Sequence, residues 1–116
     1  VSAILFVWGL FAGVFRRGDA LFFAGAFLCN TIPHTAAGLM GFPHPTPFAN
    51  PRGKGMSSPF VNFIWGSFNF AVGLYLLWTH PFVVDLNAAT LAIALGYLLL
   101  GVYLSVHFGR VRAGKA

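Results

Sequence analysis

The sequence predicts an all-α, multi-pass membrane protein, a bundle of four transmembrane helices forming one domain over residues 1–116. Three observations carry that expectation. Only 8% of the chain is charged and 58% is hydrophobic, with 14 phenylalanines, whereas a soluble domain carries about 25% charged residues. The apolar residues gather in four runs, 1–15, 20–40, 59–79 and 86–108. The seven Lys and Arg sit at the ends of those runs or in the one long connection. So little charge cannot cover a water-facing surface without large apolar patches, while lipid tails accept Phe and Leu directly. A run of about 20 apolar residues crosses a bilayer, and it does so as a helix because backbone groups in hydrocarbon must be bonded within their own segment.

Other classes fall away on the same grounds. The net charge of +5 is spread over the ends of apolar runs, which is a topology signal and not a nucleic-acid-binding face. The lone Cys29 excludes an internal disulfide and a cysteine-based zinc site. No metal site is expected, since the chain has no His-x-x-x-His pair and no carboxylate inside a span. A serine or cysteine nucleophile would lack an orienting acid.

Residues 1–15 read as a first span, short as it stands. A signal peptide would have a basic segment before the apolar run and a small-x-small cleavage site after it; here Arg16 and Arg17 follow directly. Those two arginines suit the negative end of the first helix, Gly18 its left-handed cap, and Asp19 the N-cap of the next helix. A tight hairpin is expected there.

Along 20–40, Phe23, Phe27, Asn30, His34, Ala37 and Gly41 fall near one face at helical spacing. Pro33 has no N–H to offer the carbonyl of Cys29, so a kink is expected beside Asn30 and His34. Polar side chains at that depth turn into the bundle or into a wet cavity.

Residues 41–58 form the long connection. Five of the seven prolines fall between Pro43 and Pro59, in part as Phe42-Pro43-His44-Pro45-Thr46-Pro47-Phe48. Alternating proline favours extended, polyproline-like backbone over helix or strand. A loop of this length is more often functional than a mere connector, and Phe42 and Phe48 would lay it back onto the bundle. Arg52-Gly53-Lys54-Gly55 is no phosphate loop, because Gly55 stands where Ser or Thr is needed and no strand is expected before it. Acidic lipid head groups suit these two cations better.

The third run opens on a helix start, Ser58 as cap and Pro59 in the first position. Asn62, Trp65, Gly66, Asn69, Gly73, Leu76 and His80 then share one stripe, with Phe, Val and Leu opposite. A polar, small-residue stripe of that length belongs at the centre of a bundle. It is the sharpest signal in the chain. His80-Pro81 ends the helix, and Asp85 or Asn87 can cap the fourth. That last helix carries two small-residue tracks, Ala92, Gly96, Tyr103 and His107 on one side and Thr90, Ala94, Gly101 and Ser105 on another. One should face the bundle; the other suits a partner helix, in a homo-oligomer or a larger membrane complex. Gly109 is expected to stop the helix, leaving Arg110, Arg112 and Lys115 as a basic tail.

Four spans put Arg52, Lys54, Arg110, Arg112 and Lys115 on one side and Arg16, Arg17, Asp19 and Asp85 on the other. Positive charge favours the cytoplasm, so loop 41–58 and the C-terminus are expected there. The same topology gathers Asn30, His34, Asn62 and His107 at the cytoplasmic end, with His44 and Lys54 in the loop above and Trp65 and Asn69 as a floor. His80 belongs to the opposite end. The expected function is binding of a small amphiphile, a lipid or quinone-like head group, in a cytoplasm-facing vestibule. Asn30, His34, Asn62 and Asn69 would supply hydrogen bonds, Lys54 or Arg52 would meet an anionic head, Trp65 would pack on the apolar part, and His107 would stand at the rim. Two rivals remain open at this point: a non-catalytic subunit of a membrane complex, and a small membrane enzyme using His34. The residues name no cofactor.

Overall fold

The computed structural model describes residues 16–116. The run 1–15, expected as the first span, lies outside the described residues. The elements are α1 (Arg17–Met40), β1 (His44–Pro45), β2 (Met56–Ser57), α2 (Pro59–Thr79) and α3 (Ala88–Arg112). All three helices are long and apolar enough to cross a membrane, which is compatible with an integral membrane protein. Helix α1 lies in the middle, and α2 and α3 both pack against it.

The turn into α1 differs from the expected hairpin. The helix already begins at Arg17, and its N-cap, Arg16, makes no side-chain cap bond. Gly18 and Asp19 therefore sit inside the first turn and cap nothing, although the Asp19 carboxylate still meets the positive end of the helix dipole. The Arg17 guanidinium donates to the carbonyl of Pro81, tying the start of α1 to the connection between α2 and α3. At its other end α1 runs through Pro33 and closes on Gly41, whose φ of 76° is left-handed and suits glycine. There the Gly41 N–H donates to the carbonyl of Gly38 and the Phe42 N–H to that of Ala37, a Schellman-type end that satisfies the last carbonyls.

The buried residues of α1 are Ala20, Leu21, Ala24, Gly25, Cys29, His34 and Ala37. This is not the single face expected, and Phe23 is exposed. The cause is position: a helix with neighbours on two sides buries two strips, so its small residues are covered on both flanks while Phe23 turns outward.

Helix α2 starts as expected. Ser58 Oγ accepts from the Val61 N–H at 3.2 Å, with Pro59 at the first position. Asn62, Gly66, Asn69, Gly73 and Leu76 are its buried residues, one continuous stripe facing α1. At Gly66 a side chain would run into Thr35 of α1. That is why the stripe alternates amide and glycine. The helix ends at His80.

Helix α3 is capped by Asn87, whose Oδ1 accepts from the Thr90 N–H at 2.9 Å. Gly109 does not stop it; the helix continues to Arg112, and Gly114 takes the left-handed turn beyond. One glycine in a helix costs only about 1 kcal/mol, and Arg110 and Arg112 favour the negative end they reach. Against α1 the contact is backbone-close: Gly96 abuts the carbonyl of Phe22, and Gly25 that of Ile93. Only Gly96 of α3 is buried among the described residues, and Leu91, Leu95, Leu98, Leu99, Val102 and Val106 face outward.

The connection 41–58 is more ordered than polyproline-like backbone would be. His44 pairs with Ser57 and Pro45 with Met56 in an antiparallel bridge. Proline is tolerated there because a two-residue bridge at an edge need not draw a donor from Pro45. Inside the closed loop Thr46 is buried; its Oγ1 lies 2.5 Å from Ser57 Oγ and accepts from the Phe48 N–H at 3.2 Å, and its carbonyl accepts from the Gly53 N–H at 2.9 Å. The loop is thus a folded cap. Its base places His44 against the helices.

Candidate functional site

The stripe of α2 meets the proline-bearing half of α1 through two amides. Asn62 is fully buried, and its Nδ2 faces three carbonyls: His44 at 2.9 Å, Ser58 at 3.1 Å and Ser57 at 3.2 Å. Nitrogen must stand on that side, because carbonyls only accept. Asn62 Oδ1 is then turned toward His34 Nδ1, 2.8 Å away, and accepts its proton. One turn deeper, Asn69 Nδ2 donates to the carbonyl of Trp65 at 2.8 Å, so Asn69 Oδ1 accepts from Asn30 Nδ2 at 2.9 Å. Each asparagine of α2 therefore anchors a polar side chain of α1, and Asn62 holds the base of the loop as well.

Around His34 the aromatic rings close in. Its ring lies 5.3 Å from that of His44, 6.1 Å from Phe108 and 6.4 Å from Trp65, all edge-on. His44 in turn lies 4.3 Å from Phe108. At the loop, His107 Nε2 donates to the carbonyl of Gly53 at 2.7 Å, and its ring stacks on Tyr103 at 5.7 Å.

Two of the openings beside this cluster share walls with each other. The first is a cavity of about 160 Å³ lined by Asn30, His34, Thr46, Trp65, Tyr103 and His107, with Leu104 and Phe108 closing one side. The second is a groove of about 410 Å³ between α1 and α3. Cys29, Ile32, Pro33, Tyr97 and Gly101 line its depth, and His44, Ser105 and Arg112 its upper end. Leu104 and Phe108 are walls of both.

Of the residues singled out in the sequence, Asn30, His34, Trp65 and His107 come together on the small cavity. Asn62 and Asn69 stand behind it and position His34 and Asn30. Lys54 and Arg52 are exposed and do not line it; the loop contributes Gly53 there instead. The cation nearest the aromatic cluster is Arg112, on the adjoining groove. His80 lies at the far end of α2, its Nδ1 3.0 Å from the carbonyl of Leu76. Sequence reasoning placed His44 above the vestibule and Tyr103 on a track of the last helix without giving either a role in the site, and it did not single out Thr46 or Phe108. The Tyr103–His107 pair was visible as a one-turn spacing. Phe108 carried no signal, being one phenylalanine among many.

His44 stands outside the helices and is 6% exposed. Burial first, then the proximity of His34 and of Arg112, pushes its pKa down from 6.5 to about 4. Its Nε2 has no hydrogen-bond partner among the described residues. An unfolded histidine takes up a proton near pH 6.5, the folded one only near pH 4. Between those values the unfolded chain binds more protons, so stability falls as pH is lowered through that window and levels off below it. The thermal midpoint in detergent should show that decline, and a His44→Gln variant should flatten it. An unchanged slope in the variant would assign the effect elsewhere.

No family model, curated protein or solved structure matches this chain, so the site is read from its own geometry.

Proposed function

We propose that this protein binds a small amphiphile in the bilayer. The polar head enters the cavity among Asn30, His34, Trp65 and His107, and the tail lies in the groove between α1 and α3. In this reading residues 1–15 complete a four-helix membrane bundle. The basic residues Arg52, Lys54, Arg110, Arg112 and Lys115 put the loop and the C-terminus on the cytoplasmic side.

The observation that carries the proposal is that a polar cavity and an apolar groove share two walls, Leu104 and Phe108. Polarity and volume divide the ligand between them. At about 160 Å³ the cavity matches an engineered one of about 150 Å³ that takes up benzene, which is room for a compact head group and not for a chain. The groove is lined chiefly by Ile32, Pro33, Tyr97, Gly101 and Leu104, which suits hydrocarbon. Such a division, mostly apolar walls with a few polar groups that orient the ligand, is the usual build of a small-molecule site.

Replacing Leu104 by Trp should fill the shared wall. Native mass spectrometry of the full chain from mild detergent should then lose a bound amphiphile carried by the wild type, while helical content by circular dichroism stays unchanged. A wild type that carries none, or a variant that keeps its ligand, sinks the proposal.

A second reading draws on the outer face of α3, where six large aliphatic residues are exposed. This face would dock another helix, making the chain a subunit of a homo-oligomer or a larger complex. The same spectra give the stoichiometry. A uniform monomer would leave that face to lipid.

A further inference from the structure

We infer that the polar cavity selects a neutral head group bearing hydroxyl donors, a dihydroxy-aromatic ring in preference to its dicarbonyl counterpart; this rests on the amphiphile reading above. The inference comes from hydrogen-bond direction, followed from backbone carbonyls whose role cannot change. Three carbonyls hold Asn62 Nδ2, so Asn62 Oδ1 accepts and His34 Nδ1 must donate. A neutral imidazole with its proton on Nδ1 keeps a lone pair on Nε2, and that nitrogen has no partner among the described residues. The carbonyl of Trp65 holds Asn69 Nδ2, so Asn69 Oδ1 takes the amide proton of Asn30. Asn30 Oδ1 is left as an acceptor, and the second N–H of its amide as a donor. The carbonyl of Gly53 takes the proton on His107 Nε2, which leaves Nδ1 of that neutral ring as a third acceptor.

Two of these relays give the ring protons of His34 and His107 to Asn62 and to Gly53, so the two imidazoles offer the cavity that they line only lone pairs. Their remaining capacity is for accepting. Donors on the same cavity are the second Asn30 amide N–H, the Tyr103 hydroxyl and the Trp65 indole N–H, the last without a partner among the described residues. A ligand carbonyl could accept from these groups but would leave both imidazole lone pairs without a donor. A hydroxyl can donate to an acceptor and still accept from the indole. An ammonium head would also donate, but the two carboxylates of the chain, Asp19 and Asp85, lie at the opposite helix ends, and this end carries Arg52, Lys54, Arg110, Arg112 and Lys115. Cationic heads are therefore disfavoured. The rings of Trp65, Tyr103 and Phe108 on the walls suit a flat aromatic head.

The test uses the wild-type chain in nanodiscs and three probes with the same decyl tail: an alkyl hydroquinone, the matching quinone and the hydroquinone dimethyl ether. Quenching of tryptophan fluorescence gives the binding constants, under anaerobic conditions so that the reduced probe persists. A preference of about tenfold or more for the hydroquinone over both analogues supports the inference, because a site built to bond a hydroxyl rejects ligands lacking it. In His107→Phe, which keeps an aromatic ring beside Tyr103 but removes one acceptor, that preference should shrink. Equal binding of all three probes, lost in Leu104→Trp, would overturn the donor selectivity and leave the amphiphile site standing. A preference for the quinone would overturn it too. Binding of none of the three would remove the amphiphile reading itself.

Discussion

Replacing Asn62 by alanine should lower stability more than any other single polar substitution in the helices, by about 2–3 kcal/mol. An average interhelical hydrogen bond in a membrane is worth only about 0.6 kcal/mol, so one lost bond would barely register. Asn62 is different because it closes four contacts at once, to His34 and to the carbonyls of His44, Ser57 and Ser58. Alanine would leave the His34 N–H without a partner in a site where His34 is 2% exposed, and the His44 carbonyl would keep only its bridge to Ser57. A buried group left unpaired costs about 1–3 kcal/mol. Ser58 and Ser57 lose less: the Ser58 carbonyl also accepts the Asn62 backbone N–H, and Ser57 lies at the edge of the loop. The natural comparison is Asn69→Ala, which gives up two bonds, one of them within its own helix, and should cost about 1 kcal/mol. Unfolding midpoints of the two variants in one detergent decide the matter. If Asn62→Ala proves no worse than Asn69→Ala, the loop is not fastened through this amide. Increased proteolysis between residues 46 and 55 should accompany the Asn62 variant alone.

The contrast between these two asparagines also marks what can be read from the chain by itself. Spacing alone put Asn62, Gly66, Asn69, Gly73 and Leu76 on one stripe, because a helix converts residue number into direction. The cap at Ser58 and the end at His80 were legible for the same reason: they depend on the chemistry of adjacent residues. What spacing does not contain is the partner. That Asn62 reaches His34 and Asn69 reaches Asn30 depends on how α1 and α2 are set against one another, and the glycines of the stripe determine how near they come. The loop was least legible. Prolines argued against regular backbone, yet Thr46, buried and bonded to Ser57, Phe48 and Gly53, folds it into a cap. One threonine among prolines carries no such message in a linear reading. Gly109 misled for a related reason. A glycine permits a stop but does not impose one, and the two arginines beyond it favoured another turn.

Gly96→Val should be the most damaging apolar substitution, costing about 3 kcal/mol or preventing assembly of α3 on α1. A Cβ at this position would fall on the carbonyl of Phe22, which is backbone and cannot swing aside, with the Ala26 nitrogen close by. Overpacking usually costs about 1–3 kcal/mol when side chains can shift; here a whole helix has to move. The effect should propagate, because the α1–α3 contact also sets the walls of the groove, including Tyr97 and Gly101. Two neighbours serve as controls. Gly101→Ala would bring a methyl group to 3.4 Å from Cys29 Sγ, an ordinary contact, and should be close to neutral. At Gly109 nothing lies within 4 Å, so Gly109→Ala should stabilise the helix by up to about 1 kcal/mol through propensity alone. The expected order of thermal midpoints is therefore Gly109→Ala highest, Gly101→Ala near wild type and Gly96→Val far below. Hydrogen exchange should show the loss first in α3, whose only buried residue among those described is Gly96 itself. Wild-type stability in Gly96→Val would mean that α1 and α3 do not meet at this glycine, and the groove between them would have to be redrawn.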